Sequence, residues 1–125
     1  MKYEMRLSKV FRPLLALFGG TRSRSFVSLN EQGVRFKFGL FDESFSLDDL
    51  ASAEPTDVPW YAGVGWKLGP GTVALLGSQA GNVRVTFREP KRVRFFGVPI
   101  RCRELYVSLE QPEAFASDLR ARLAA

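Results

Sequence analysis

A two-residue alternation of apolar and polar side chains constrains the fold of this chain more than any other feature. Val34, Phe36 and Phe38 alternate with Arg35 and Lys37, and the same period recurs in short stretches between residues 25 and 109. Successive side chains of a strand point to opposite faces, so the pattern predicts strands that bury one face. With 125 residues, the chain is long enough for one domain and too short for two ordinary ones.

Turn signals divide these stretches into hairpins. Asn30–Gly33 is predicted to join two strands, with Gly33 at a positive φ. Thr72–Leu76 and Asn82–Arg88 are predicted to pair as a further hairpin across residues 77–81. Asp48–Leu50 is predicted to form a helical turn that places the leucine under the sheet.

The period of the pattern changes after residue 111. Pro112 and Glu113 suit the first turn of a helix, where a missing N–H costs nothing and a carboxylate meets the positive end of the dipole. Phe115, Leu119 and Leu123 recur every four residues. This spacing predicts an amphipathic C-terminal helix whose apolar stripe packs on the sheet.

Residues 1–24 form a distinct N-terminal arm with six basic side chains and one Glu. Pro13 fits the first turn of a helix and Gly19 fits its end, which predicts a short helix. The apolar run Leu14–Phe18 is predicted to bury against the body of the protein, a partner or a membrane surface. We therefore divide the chain into this arm and a single domain over residues 25–125.

The residue types that are missing exclude most catalytic chemistry. The sequence contains no His, which excludes Ser-His-Asp and Cys-His nucleophiles and His-ligated zinc or haem. The single Cys102 cannot form an internal disulfide. It is either a small packed residue or, between Arg101 and Arg103, a redox-sensitive thiolate, and we favour packing. We predict a protein that is not an enzyme and uses no cofactor or metal.

The net charge of +5 conceals a strong separation of charge along the chain. Residues 42–57 carry six acids and no base, whereas residues 84–103 carry seven bases and one Glu. Two interpretations are open. The two stretches neutralise each other across neighbouring strands, because opposite charges across strands are stabilising, or the arginine-rich stretch is left free as an anion-binding face. We favour the first.

Four stretches carry a recognisable order of elements: Val27–Phe36, Leu47–Leu50, Tyr61–Trp66 and Leu105–Phe115. Six or seven short antiparallel strands followed by one helix resemble a pleckstrin-homology-like (PH-like) domain, in particular the small bacterial PH-like proteins. The resemblance implies a mainly β fold, a partly open β-barrel or orthogonal sandwich with the helix at one end. Eukaryotic relatives that bind inositol phosphates place Lys and Arg in the first hairpin loop, whereas Asn30–Gly33 holds an acid and no base.

Two function classes follow, both for a cytoplasmic binding or adaptor module. The first is protein recognition through Trp60, Tyr61 and Trp66, since aromatic side chains dominate binding hot spots; the alternative for these rings is packing over one end of the fold. The second is peripheral association with an anionic membrane through the basic arm and the cations of the strands. These strand cations are Arg35, Lys37, Arg84, Arg88, Arg92, Arg94, Arg101 and Arg103. Specific nucleic-acid binding is not expected, because no recognition motif is present.

Overall fold

A computed structural model describes residues 2–7, 25–57, 65–78 and 80–124. The predicted short helix of the N-terminal arm lies outside these described residues, and so do Trp60 and Tyr61. The described residues form nine strands and a C-terminal helix, Pro112–Ala124. The strands are β1 (Lys2–Glu4), β2 (Ser25–Leu29), β3 (Gly33–Phe38), β4 (Phe41–Ser46), β5 (Leu50–Pro55), β6 (Gly65–Gly69), β7 (Thr72–Leu76), β8 (Asn82–Phe95) and β9 (Val98–Ser108).

The prediction of a mainly β fold with a C-terminal helix is confirmed, and the described strands do not close into a barrel. The strands form two separate sheets, one in the order β1-β2-β3-β4 and one in the order β5-β8-β9-β7-β6. The chain passes between them at a 3-10 turn, Leu47–Asp49. Ser46 Oγ accepts a hydrogen bond from Asp48 N at 3.2 Å, and Asp49 Oδ2 accepts one from Ser46 N at 3.2 Å. This reciprocal capping ends the ladder after β4, so that β4 and β5 do not pair.

The first hairpin is confirmed, but the positive φ expected at Gly33 is wrong. Positive φ occurs at five described glycines, and Gly33 is not among them. Asn30 Oδ1 instead closes the turn by accepting hydrogen bonds from Gln32 N at 2.8 Å and from Gly33 N at 3.1 Å. A Cβ added at Gly33 would lie 2.0 Å from Phe45 O. The glycine therefore serves the close approach of β4.

The predicted hairpin between β7 and β8 is also wrong. β9 lies between them and pairs with β7 in parallel, for example Val73 with Leu105. β8 and β9 are joined by a turn of only two residues, Phe96 and Gly97. Closing that short loop costs less entropy than closing the loop between β7 and β8. The long β8–β9 hairpin therefore occupies the centre of the sheet, and β7 takes the outer edge of β9.

The core lies between the two sheets and beneath the helix. The ring centroids of Phe45 in β4 and Phe87 in β8 are 4.7 Å apart, which joins the sheets directly. Phe115 and Leu119 are fully buried, as the four-residue period predicted. Tyr3 of β1 packs edge-on against Phe115, with centroids 5.1 Å apart.

Candidate anion-binding face

The β8–β9 hairpin is bent by irregular pairing about halfway along its length. The register of β8 against β9 shifts between Thr86 and Lys91. On β9, Arg103 N and Glu104 N both donate to Gly71 O, at 2.7 and 3.1 Å. Two successive N–H groups on one carbonyl indicate a β-bulge, which bends a strand and changes the face that its following side chains occupy. We call the part of the hairpin beyond this irregularity, residues 91–103, its outer half.

Four arginines share the outward face of this outer half. Arg92 lies directly across from Arg101, and Arg94 and Arg103 are their diagonal neighbours on the same face. All four side chains are exposed, whereas Val93 between the first two is buried. Cβ atoms of directly opposed residues lie about 5 Å apart, and diagonal neighbours about 7 to 8 Å apart. We call Arg92, Arg94, Arg101 and Arg103 the arginine face.

The arginine face has no acidic partner within the described ranges. All thirteen Asp and Glu residues of the chain lie in those ranges. None of their carboxylate oxygens comes within 4.0 Å of a guanidinium nitrogen of the face. The carboxylate of Glu43 does contact Arg94. It accepts a hydrogen bond from the backbone N of Arg94 at 2.9 Å, and not from the guanidinium group. Like charges directly opposite across strands are destabilising, so the face carries uncompensated repulsion.

The other basic side chains of β8 are engaged within the protein. The Arg84 guanidinium donates to Glu54 and lies 3.7 Å from Glu104. Arg88 Nε donates to Leu50 O at 3.0 Å. These contacts agree with the interpretation that charge is neutralised across strands. The two interpretations of the charge pattern therefore each hold for part of the basic stretch. Arg84 is paired with acids across strands, whereas the arginine face has no acidic partner among the described residues.

The cations predicted on β3 are also engaged. Arg35 donates to both oxygens of Asp42, at 2.8 and 2.7 Å. This fork holds the pKa of the Asp42 carboxyl below its ordinary value. Lys37 Nζ donates to Gly39 O at 3.1 Å and lies 3.8 Å from Asp42. The structure therefore does not bring Arg35 and Lys37 into the arginine face.

Trp66 adopts the packed alternative. Its ring stacks on Phe38 with centroids 4.2 Å apart, and its Nε1 donates to Phe38 O at 2.8 Å. The ring of Phe96 lies edge-on to the indole, with centroids 5.7 Å apart. The indole is half-buried between the sheet containing β3 and the outer end of the β8–β9 hairpin. Trp66 therefore contacts both β3 and that end of the hairpin.

The apolar residues in the turns beside the arginine face were not among the site residues predicted from the sequence. Leu40 follows Gly39 in the β3–β4 turn, and its side chain is 68% exposed. Phe96 and Val98 in the β8–β9 turn are 44% and 59% exposed. The available signal was an aromatic-glycine pair, Phe96-Gly97, between two stretches of alternating side chains. Alternation alone does not mark turn residues, because they belong to neither face.

The packed interpretation of Cys102 is confirmed. The side chain is fully buried, and Sγ donates to Glu104 O at 3.2 Å. Burial raises the pKa of the thiol to about 12. Although two arginines flank it in sequence, their side chains lie on the opposite, exposed face of β9. The thiol therefore stays protonated at neutral pH and is inert.

Comparison with known proteins adds no assignment. No family model matches the chain, and neither the curated proteins nor the solved structures contain a significant match to it. Over the described ranges, no three His, Cys, Asp or Glu side chains are grouped to hold a metal ion. No helix in the described part of the chain has the length and apolar character needed to cross a membrane.

Proposed function

We propose that this protein is a non-catalytic binding module that attaches to anionic membrane surfaces through the arginine face. The observation that carries the proposal is the set of four exposed guanidinium groups on one strand face that have no acidic partner among the described residues. The segment from residue 90 to residue 103 holds five bases and no acid. One of the five, Lys91, is paired with Asp49 at 2.7 Å on the inner side. The other four are available to a ligand.

The strength of this attraction follows from the number of charges. A basic side chain near an anionic leaflet contributes about 1 kcal/mol at physiological ionic strength. Four arginines therefore contribute about 4 kcal/mol, which corresponds to about a thousandfold in the partition coefficient. The contribution declines with salt, since the surface potential falls off within a Debye length.

A membrane fits this face better than a nucleic acid. The hairpin ends in the apolar residues Phe96 and Val98, which the acyl region of a bilayer accepts and a phosphate backbone does not. Stable peripheral attachment takes two signals, and a basic patch beside an apolar group supplies both. The protein-binding hypothesis depended on Trp60, Tyr61 and Trp66. Two of these lie outside the described residues, and the third is engaged in packing.

The relation to PH-like domains also remains a proposal. It is supported by the order of elements, in which strands are followed by one helix at the C-terminal end of the domain. The parallel pairing of β7 with β9 departs from the antiparallel pattern that the resemblance implies. The proposed membrane site lies on the β8–β9 hairpin and does not use the first hairpin loop.

The test is flotation of the protein with lipid vesicles at low salt. We expect binding to vesicles that contain 30% phosphatidylglycerol and none to pure phosphatidylcholine. Replacing the four arginines of the face by Gln is expected to abolish binding. A matched control removes the same charge elsewhere by replacing Lys2, Lys67, Arg120 and Arg122 with Gln, and it should retain most of the binding.

Three results would overturn the proposal. The first is no binding of the native protein to the anionic vesicles. The second is an equal loss of vesicle binding in the variant without the four arginines and in the matched control, because net charge alone would then explain binding. The third is tighter binding to a 20-base-pair DNA duplex than to the vesicles at the same salt, which would favour a nucleic-acid ligand.

A further inference from the structure

We infer, on the basis of the proposed membrane attachment, that Leu40, Phe96 and Val98 form an apolar tip that enters the bilayer below the phosphate groups. The arginine face would then lie at the level of the phosphates. The three residues come from two turns in different sheets, the β3–β4 turn and the β8–β9 turn. All three residues are exposed, Trp66 contacts Phe96 and stacks on Phe38 beside the β3–β4 turn, and Phe96 has a strained backbone conformation.

Trp66 joins the two turns at one end of the molecule. It stacks on Phe38, which directly precedes the Gly39-Leu40 turn, and it also contacts Phe96. A hydrogen bond from the backbone N of Arg94 to the side-chain Oε1 of Glu43, at 2.9 Å, links the same two hairpins. The apolar side chains are therefore positioned before any membrane is met. Preorganisation of this kind reduces the ordering cost of binding.

The charge around the tip is complementary to an anionic membrane. Arg94 lies two residues before Phe96 on β8, and Arg101 lies three residues after Val98 on β9. Neither guanidinium has an acidic partner in the described part of the chain. An apolar protrusion beside basic side chains enters an anionic interface through two additive terms, burial of apolar area and attraction to phosphate.

Phe96 occupies a backbone conformation that its own side chain disfavours. Its φ is 50° and that of Gly97 is 84°. Positive φ at both central residues is the pattern of a type I′ turn, in which Asn or Gly is preferred at the first position. For a bulky residue this region is strained. The ring contacts Trp66 and Phe95, yet Phe96 remains 44% exposed, so the strained turn holds an aromatic side chain at the surface of the protein.

The strain makes Phe96→Asn an informative substitution. Asn suits the turn, so the variant should fold, with a thermal midpoint within a few degrees of that of the native protein. Its partition into phosphatidylglycerol vesicles should fall about tenfold, because an exposed ring no longer enters the apolar region. The pressure up to which the protein penetrates a phosphatidylglycerol monolayer should fall as well.

A second pair of variants keeps the test independent of packing at Phe96. Leu40→Ser with Val98→Ser removes the other two apolar groups and should also reduce partition about tenfold. Leu68→Ser is the control, since Leu68 is 54% exposed on β6 and belongs to neither turn. It should bind as the native protein does.

The outcomes separate this inference from the proposal on which it rests. If both tip variants bind and penetrate like the native protein while the variant without the four arginines does not bind, the apolar tip is refuted and electrostatic attachment stands. If the native protein fails to bind anionic vesicles, both are refuted. If the partition of Leu68→Ser into the vesicles falls as much as that of the tip variants, general surface hydrophobicity explains the effect and the tip is refuted.

Discussion

The repulsion within the arginine face predicts that Arg92→Gln stabilises the protein at low salt. Arg92 has three like-charged neighbours on its face: Arg101 directly opposite, Arg94 two residues along β8, and Arg103 on the diagonal. Gln keeps most of the length of the side chain and removes only its charge. The substitution therefore changes electrostatic energy with little change in packing.

The magnitude follows from the strand geometry. Flexible guanidinium groups on neighbouring positions can separate to about 8 Å, where two unit charges in water repel by about 0.5 kcal/mol. Three such pairs, screened with a Debye length of about 30 Å at 10 mM salt, give about 1 kcal/mol. At 1 M salt the Debye length is about 3 Å, and the same sum falls to about 0.1 kcal/mol.

The assay is urea unfolding at both salt concentrations. We expect the free energy of unfolding of Arg92→Gln to exceed that of the native protein by about 1 kcal/mol in 10 mM salt and to match it in 1 M salt. Arg84→Gln is the matched control on the same strand, because Arg84 is paired with Glu54 and Glu104. That variant should lose about 0.5 kcal/mol at low salt. A loss of stability in Arg92→Gln at low salt would refute the reasoning, because it would mean that Arg92 has an attractive partner within the protein.

Three further predictions concern the fold. Gly33→Ala should lower the free energy of unfolding by about 1 to 3 kcal/mol in urea titrations, because its Cβ would overlap Phe45 O; an unchanged midpoint would contradict the close approach. Burial and the hydrogen bond to Asp118 raise the pKa of Tyr3 to about 12 from 10.0, so its contribution to stability is complete below pH 10 and is lost as the pH rises from 10 to 12. The difference in unfolding free energy between the native protein and Tyr3→Phe should shrink over that interval, and a constant difference would count against the raised pKa. Cys102 should react with a thiol reagent at pH 8 only after urea is added, and rapid reaction of the folded protein would show that the thiol is accessible.

Local patterns in the sequence predicted those parts of the fold that depend on local physics. The alternation of Val34, Phe36 and Phe38 gave the buried face of β3, and the four-residue period of Phe115 and Leu119 gave the buried stripe of the helix. Both follow from the geometry of a single element. The sheet order did not, because the choice of partner for β7 depends on which strands compete for the same edge.

The arginine face was only partly predictable. The density of arginine after residue 84 was evident. The division between Arg84, which is paired, and Arg92, which has no acidic partner in the described part of the chain, depends on how far β5 extends along β8. Glu54 lies across from Arg84, whereas β5 has no residue across from Arg92. Arg103 and buried Cys102 lie on opposite faces of β9. This placement depends on strand parity and on a bulge that no residue type in the sequence predicts. The exposed apolar residues of the turns could not be predicted as a site, because single exposed apolar residues are common on protein surfaces.

The most direct test of the account observes the arginine side chains themselves. Nuclear magnetic resonance resolves the Nε–H group of each arginine, and the spectrum can be followed while bicelles containing phosphatidylglycerol are added. We expect the signals of Arg92, Arg94, Arg101 and Arg103 to shift or broaden first, while those of Arg35 and Arg84, which are held by carboxylates, stay in place. Unchanged signals from the four, with changes confined to arginines elsewhere in the chain, would contradict the claim that this face binds the membrane.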